Sequence, residues 1–129
     1  MPNTLILLPG LVCDSATWAA QIQALSQRVR CHVPDYGLRD SITAMAQQYA
    51  AQINALLNRP DAAPVLPTIT CPTLVLTGRE DLWSPPEQHE RMAAAIEGAE
   101  LCIVEQCGHM STMEQPDAVT AAFGRWLLG

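Results

Sequence analysis

Two stretches decide the fold: TLVLTGRED at residues 73–81 and LCIVEQCGH at residues 101–109. Each begins with a short continuous apolar run and ends in a loop that carries an ionisable residue, Asp81 in the first and His109 in the second. Such a run, bounded by turn residues, is typical of a strand buried on both faces of a parallel sheet. We therefore predict two strands whose carboxyl ends deliver Asp81 and His109.

The rest of the chain alternates between the same kind of strand and helical patterns. Apolar runs at 4–8 and 29–33 predict two further strands, the first stopped by Pro9-Gly10. Apolar residues at helical spacing predict helices at about 14–25, 41–58, 84–97 and from 116 onward. Residues 60–72 contain four prolines and predict an irregular linker.

The resulting order, β-α-β-α-β-α-β-α, predicts an α/β fold with a parallel sheet and helices on both faces. We expect a small three-layer, doubly wound sheet of about four strands, formed by residues 1–129 as a single domain. Ligands of such sheets bind beyond the carboxyl ends of the strands, where Asp81 and His109 lie.

Composition excludes several classes of function. The 129 residues are 49% hydrophobic and 16% charged, which indicates a globular protein. The net charge is −6, which argues against nucleic acid or an anionic membrane as partner. There is no lysine for Schiff-base chemistry or a phosphate-binding P-loop, and no apolar run approaches the ~20 residues of a membrane helix.

The cysteine usage favours a reducing compartment. Five cysteines at irregular spacing do not read as a disulfide framework, so buried reduced thiols in a cytoplasmic protein are expected. The apolar start lacks a basic region and is broken by Pro9-Gly10, which is a poor match to a signal peptide. Cys107 and His109 lie only two residues apart without a second pair of ligands, so we predict no metal site.

Asp81 and His109 together predict acid–base chemistry. Adjacent parallel strands bring their loops side by side, so Asp81 can accept the Nδ1 proton of His109 and stabilise the imidazolium. His109 is then a general base near neutral pH. Taken alone, Asp81 is more simply a turn former and His109 a hydrogen-bonded polar residue; together, after two buried strands, they favour function.

With these residues in view, the chain resembles the α/β-hydrolase family. The resemblance rests on LPGLVCDSATW from residue 8, VPDYG from 33, CPTLVLTGREDLWSPPEQ from 71 and CGHMSTMEQPDAV from 107. It implies that Asp81 is the triad acid, that His109 is the base and that the Leu11 N–H donates to the oxyanion. It also implies that Trp83 and Met110 lie near the site, and that no cofactor is needed.

One family feature is missing from the sequence. The family carries G-x-S-x-G, a strained turn that exposes the nucleophile, but residues 48–53 here run through a predicted helix. The chain resembles a member whose middle, with the elbow, two central strands and most of the cap, has been removed. The family strand order then leaves the spatial order 2-1-3-4, with the first and third strands as neighbours.

The nucleophile therefore stays open among three alternatives. Ser15 and Cys13 follow the first strand and can face the same crevice as His109, and a water molecule is the third possibility. The simpler roles are a helix cap for Ser15 and a small core residue for Cys13. Ser84 and Ser111 are set aside because each begins a predicted capping box, with Glu87 and Glu114 respectively.

Three functions follow in order of preference. The first is a hydrolase of small carboxylic esters that uses Asp81, His109 and a non-standard nucleophile. The second is a catalytically vestigial domain that acts as a homo-oligomer or by partner binding, since lost central elements expose apolar surface. The third is a thiol activity at Cys13 or Cys107.

Overall fold

The computed structural model describes residues 4–10, 13–34 and 41–128, apart from the side chains of Met45 and Leu128. Within them lie four strands: β1 (Thr4–Ile6), β2 (Arg30–His32), β3 (Leu74–Gly78) and β4 (Glu100–Val104). The helices are α1 (Ala19–Leu25), α2 (Ile42–Leu57), α3 (Pro86–Ala95), α4 (Ser111–Glu114) and α5 (Pro116–Leu128). Two 3-10 turns, Ser15–Trp18 and Ala63–Thr68, complete the order.

The strands pair in parallel, as the alternating pattern predicts. β1 pairs with β2, with Leu5 opposite Cys31. β3 pairs with β4 over five residues, from Leu74 opposite Glu100 to Gly78 opposite Val104. Helix α3 packs against both β3 and β4, while α5 packs against β4 and α1. The chain thus has the predicted α/β architecture.

The predicted continuous order 2-1-3-4 is wrong at one junction. In the described residues, β1 and β3 do not pair, and the strands form two separate two-stranded sheets. An apolar cavity of about 380 Å³ is lined by residues of β1 and by Leu74 of β3, together with Trp18, Phe123 and Trp126. The rings of Trp18 and Phe123 stack with centroids 6.2 Å apart, so aromatic side chains line the space where the two strands would have met.

Helix packing rather than strand pairing joins the two halves. The fully buried Gln21 of α1 donates through Nε2 to the backbone oxygens of Thr112 and Pro116, at 3.4 and 3.3 Å. The same amide lies 3.4 Å from Oγ1 of Thr120. These bonds join α1, in the first half of the chain, to α4 and α5 in the second.

The core lies between β4 and α5. Val104, Cys107 and Val119 are buried together, with Leu76, Cys102 and Phe123 packed around them. Val119, Ala122 and Phe123 recur at helical spacing, so α5 turns one apolar face inward, as the sequence predicts. This packing holds the end of β4, and with it the loop that follows, against the last helix.

Two predicted helix starts differ from the structure. The first helix opens as a 3-10 turn in which Asp14 accepts the Ala16 N–H at 2.8 Å. The predicted Ser84–Glu87 capping box is wrong, because α3 begins at Pro86 with Pro85 as its N-cap. The Ser84 N–H donates to Oδ1 of Asp81 instead, at 2.8 Å, so it is not available to the Glu87 side chain.

Helix α2 stands apart from the core. Its N-cap is Ser41, whose side chain accepts the Ala44 N–H at 3.2 Å. None of its described side chains is buried, and Ile42 and Leu57 are largely exposed. In the part of the chain that the structure describes, no helix is long and apolar enough to cross a membrane.

All five thiols are free. The expectation that they are buried holds for Cys107, whereas Cys71 is exposed and the other three are partly buried. Cys71 lies in the proline-rich segment before β3, where little packs against it.

Candidate active site

Asp81 is placed by the end of strand β3. After Gly78 the chain turns, with the Arg79 N–H donating to Val104 O at 2.8 Å and the Asp81 N–H to Gly78 O at 3.3 Å. A Cβ at position 78 would overlap the backbone oxygens of Cys107 and Gly108. Glycine therefore lets the end of β3 approach the loop after β4, and Asp81 is 5% exposed beneath that loop.

The Asp81 carboxylate accepts three hydrogen bonds. Its Oδ1 accepts the N–H of Trp83 at 2.9 Å and that of Ser84 at 2.8 Å. Its Oδ2 lies 2.9 Å from Nδ1 of His109. Burial by itself raises the pKa of Asp81, but the hydrogen bonds from Ser84, His109 and Trp83 outweigh it, so the pKa is lowered. Asp81 is thus a buried carboxylate at neutral pH.

The His109 imidazole is bonded to Asp81 through Nδ1, and the ring is half-exposed to solvent. Its side chain is 54% exposed, and among the described residues Nε2 has no hydrogen-bond partner. The Trp83 ring stacks on the imidazole with centroids 5.6 Å apart and planes 16° apart. The bond from Nδ1 to Asp81 leaves Nε2 directed away from the carboxylate, which is the arrangement of a general base oriented by an acid.

The loop that carries His109 is fixed from both sides. The Glu80 N–H donates to Cys107 O at 2.8 Å from the β3 side. From the helix side, Glu114 accepts the N–H groups of Gly108 and Met110, at 2.6 and 2.8 Å. Burial, together with nearby carboxylates led by Glu114, raises the pKa of the Cys107 thiol. Cys107 therefore stays protonated, which weakens the case for a thiol activity at this position.

The structure brings together some of the predicted site residues and not others. Asp81, His109 and Trp83 are in direct contact, and Met110 follows His109 in the same loop. Ser15 is exposed at the first 3-10 turn and Cys13 is partly buried; no hydrogen bond joins either to His109 in the described ranges. Leu11, the predicted oxyanion donor, lies outside the described residues.

Sequence reasoning missed the residues that hold the loop. Glu114 was expected to complete a capping box with Ser111, but its carboxylate reaches back across His109 to Gly108. The spacing of Glu114 from Ser111 suggested a helix start, and nothing in the sequence indicated that Glu114 would bond to the backbone of the His109 loop. Within the described ranges, no group of three or more His, Cys, Asp or Glu side chains converges as a metal site would.

Comparison with known proteins decides the family. The sequence model of the alpha/beta hydrolase family matches residues 38–122, which include both Asp81 and His109. The chain belongs to the alpha/beta hydrolase family.

Named alpha/beta hydrolases and solved structures resemble the chain over different extents. A 2-hydroxy-6-oxononadienedioate/2-hydroxy-6-oxononatrienedioate hydrolase of Klebsiella pneumoniae is 41% identical over 59 residues, 46% of this chain and 20% of that protein. The chain thus spans about a fifth of the length of this curated relative.

Among solved structures, the enol-lactonase of Burkholderia xenovorans superposes with a TM-score of 0.80 at 16% identity, covering 100% of this chain and 92% of that chain. A thermophilic esterase of Thermogutta terrifontis superposes with a TM-score of 0.75 at 19% identity, covering 98% and 90%. At these identities the likeness shows the fold, which is that of the alpha/beta hydrolases.

Proposed function

We propose that this chain hydrolyses small carboxylic esters with His109 as general base and Asp81 as the residue that orients it. The observation that carries the proposal is the 2.9 Å bond between His109 Nδ1 and Asp81 Oδ2, combined with a half-exposed imidazole. The relatives support it by name, since they include an esterase and an enol-lactonase. We place the protein in the cytoplasm, which suits its five free thiols.

The proposed reaction begins with proton transfer to His109. Nε2 takes the proton of the attacking hydroxyl, and the oxygen adds to the ester carbonyl. The ester C–O bond then breaks as the imidazolium returns the proton to the leaving alcohol. If the hydroxyl is that of Ser15, this gives an acyl-enzyme, and a water molecule deprotonated by Nε2 hydrolyses it to release the acid and restore Ser15. The Leu11 N–H would donate to the oxyanion. Asp81 stabilises the imidazolium because it stays ionised in its buried position. No cofactor takes part in these steps.

Ser15 is the leading candidate for the attacking group, with Cys13 or a water molecule as alternatives. The 3-10 turn that begins at Ser15 packs against α4, which directly follows the His109 loop. A second oxyanion donor of the kind supplied by the missing elbow is worth about 10²–10³ in rate. We therefore expect weak turnover.

The substrate surface is apolar. Leu82 is nearly fully exposed next to Trp83, which is 79% exposed although it stacks on His109. Met113 is also exposed, one turn beyond the His109 loop. These side chains favour an ester with an apolar acyl or alcohol group, which would cover them on binding.

The test measures hydrolysis of p-nitrophenyl acetate and butyrate by the wild type, by His109→Ala and by the control His32→Ala, which removes an exposed histidine of β2. His109→Ala should lower the rate by about 10²–10⁴, and His32→Ala should not. Equal rates in all three proteins would refute His109 as the base.

The attacking group is assigned by the mass of the protein after treatment with a fluorophosphonate. A stoichiometric adduct on Ser15 that disappears in His109→Ala identifies Ser15. Turnover that survives Ser15→Ala but not Cys13→Ala indicates Cys13, and turnover that survives both substitutions indicates water.

A second candidate function, self-association, rests on a different observation. Among the residues that the structure describes, β1 and β3 each have a hydrogen-bonded neighbour on one side only, and the cavity between them is lined mainly by leucines and aromatic rings. Ile6 and Leu8, in and after β1, are 61% and 60% exposed. Unpaired strand edges with exposed apolar side chains favour pairing with another chain.

A further inference from the structure

Glu114 contacts the backbone on both sides of His109. Its Oε2 accepts the N–H of Gly108 at 2.6 Å, and its Oε1 accepts the N–H of Met110 at 2.8 Å. One carboxylate therefore bridges the residue before and the residue after the histidine. Both bonds are charge-assisted, which makes them shorter and stronger than bonds between neutral groups.

Two neighbouring residues, Gly108 and Gln115, support the contact of Glu114 with the loop backbone. A Cβ at position 108 would lie 3.0 and 3.2 Å from the two carboxylate oxygens, so glycine there leaves room for the carboxylate to approach the backbone closely. The next residue, Gln115, donates from Nε2 to Gln106 O at 2.9 Å. Gln106 is the one non-glycine residue with positive φ in the described chain, at 53°, so the loop is restrained at its most unusual turn.

We propose that Glu114 is the positioning residue of the site, which holds His109 Nδ1 against Asp81 through the backbone of the loop. The inference rests on the proposed function for its catalytic meaning. Glu114 does not touch the imidazole. It acts because a shift of the 108–110 backbone would carry His109 away from Asp81, whose own position is fixed separately by the N–H groups of Trp83 and Ser84.

The hydrogen bonds that Glu114 accepts determine which substitution tests its role. Both groups that face Glu114 are donors, so both of its oxygens must accept. Glutamine keeps one acceptor and replaces the other with an NH₂ group that faces an N–H. Glu114→Gln thus removes one bond at nearly constant shape. Glu97→Gln is the matched control, because Glu97 is exposed and makes no side-chain bond in the described ranges.

The first test is nuclear magnetic resonance, which needs no substrate. In the wild type and in Glu97→Gln, the Nδ1 proton of His109 should give a downfield signal, and the amides of Gly108 and Met110 should be protected from exchange. In Glu114→Gln the signal should broaden or vanish, as in Asp81→Asn, and protection of at least one amide should fall roughly tenfold or more. An unchanged signal and unchanged protection would overturn the proposal.

A second variant covers the case in which Glu114→Gln does not fold. Gly108→Ala keeps the carboxylate but brings a methyl group against both of its oxygens, so the carboxylate must shift by a few tenths of an ångström. Protection of the amides at 108 and 110 and the Nδ1 signal should then fall together. A Gly108→Ala protein that loses protection of both amides yet keeps the Nδ1 signal would also overturn the proposal.

Kinetics separates this inference from the proposed function. If the wild type hydrolyses esters, Glu114→Gln should lower kcat while leaving KM nearly unchanged, because substrate contacts remain. If the wild type shows no turnover yet the Nδ1 signal depends on Glu114, the positioning role stands and the hydrolase function fails.

Discussion

Asp81 combines burial with three hydrogen-bond donors, and the donors determine its charge. Without the N–H groups of Trp83 and Ser84 and the ring of His109, burial would favour the neutral acid. With them, the carboxylate stays ionised and anchors both the turn before α3 and the imidazole. A single side chain thereby links the fold to the chemistry.

This residue makes a prediction about acid. Because the pKa of Asp81 in the folded protein is lowered from its ordinary value of 3.8, its charge stabilises the fold above that value. This stabilisation is lost as the pH falls through the lower, folded pKa. Asp81→Asn should lower the free energy of unfolding by roughly 1–3 kcal/mol at pH 7, measured by urea titration. The difference from wild type should shrink at pH 3; a difference that grows on acidification would contradict the sign.

Among the elements, helix α2 is notable because none of its described side chains is buried, although the side-chain oxygen of Gln52 is enclosed. The cap at Ser41 therefore contributes to the stability of its first turn. Helices with few buried side chains open locally at a lower free energy than that of global unfolding. The core helix α5, which buries Val119, differs in this respect.

The contrast predicts different outcomes for two substitutions. Ser41→Ala should destabilise the start of α2 by about 1 kcal/mol, seen as faster amide exchange in residues 44–47, with an unchanged urea midpoint. Val119→Ala should lower the global free energy of unfolding by about 1–3 kcal/mol. A lower urea midpoint in Ser41→Ala would show that α2 is coupled to the core.

Strands and helices were predictable where the local sequence pattern alone is enough to identify them. The apolar runs before Gly78 and Glu105 predict β3 and β4, and the rule for parallel strands then predicts that Asp81 and His109 lie close together. The gap between β1 and β3 was not predictable, because it involves packing between distant segments, such as the contacts of Gln21 with residues more than 90 positions away. The roles of Ser84 and Glu114 were mistaken for the same reason, since local spacing does not reveal a loop partner.

In the whole molecule, the two sheets leave strand edges that have no partner within the described ranges. The −6 net charge opposes association only weakly at physiological salt, where charges are screened beyond about 8 Å. The exposed Ile6 at the edge of β1 therefore offers both apolar area and a strand for pairing.

This arrangement predicts the effect of a charge at the edge. Light scattering after gel filtration should find the wild type as a dimer or larger, and Ile6→Lys should weaken association roughly tenfold or more, since a buried unpaired charge is costly. Ile53→Lys, on the exposed face of α2, is the matched control and should associate as the wild type does. A monomeric wild type would exclude self-association.

The stacking of Trp83 on His109 has an optical consequence. Excited indole transfers an electron readily to a protonated imidazole lying against its face, and much less readily to a neutral one. We therefore expect the emission of Trp83 to depend on whether His109 carries the extra proton, while Trp18 and Trp126 lie away from it, at the cavity beside β1. Trp83 fluorescence should thus report the protonation of the candidate base.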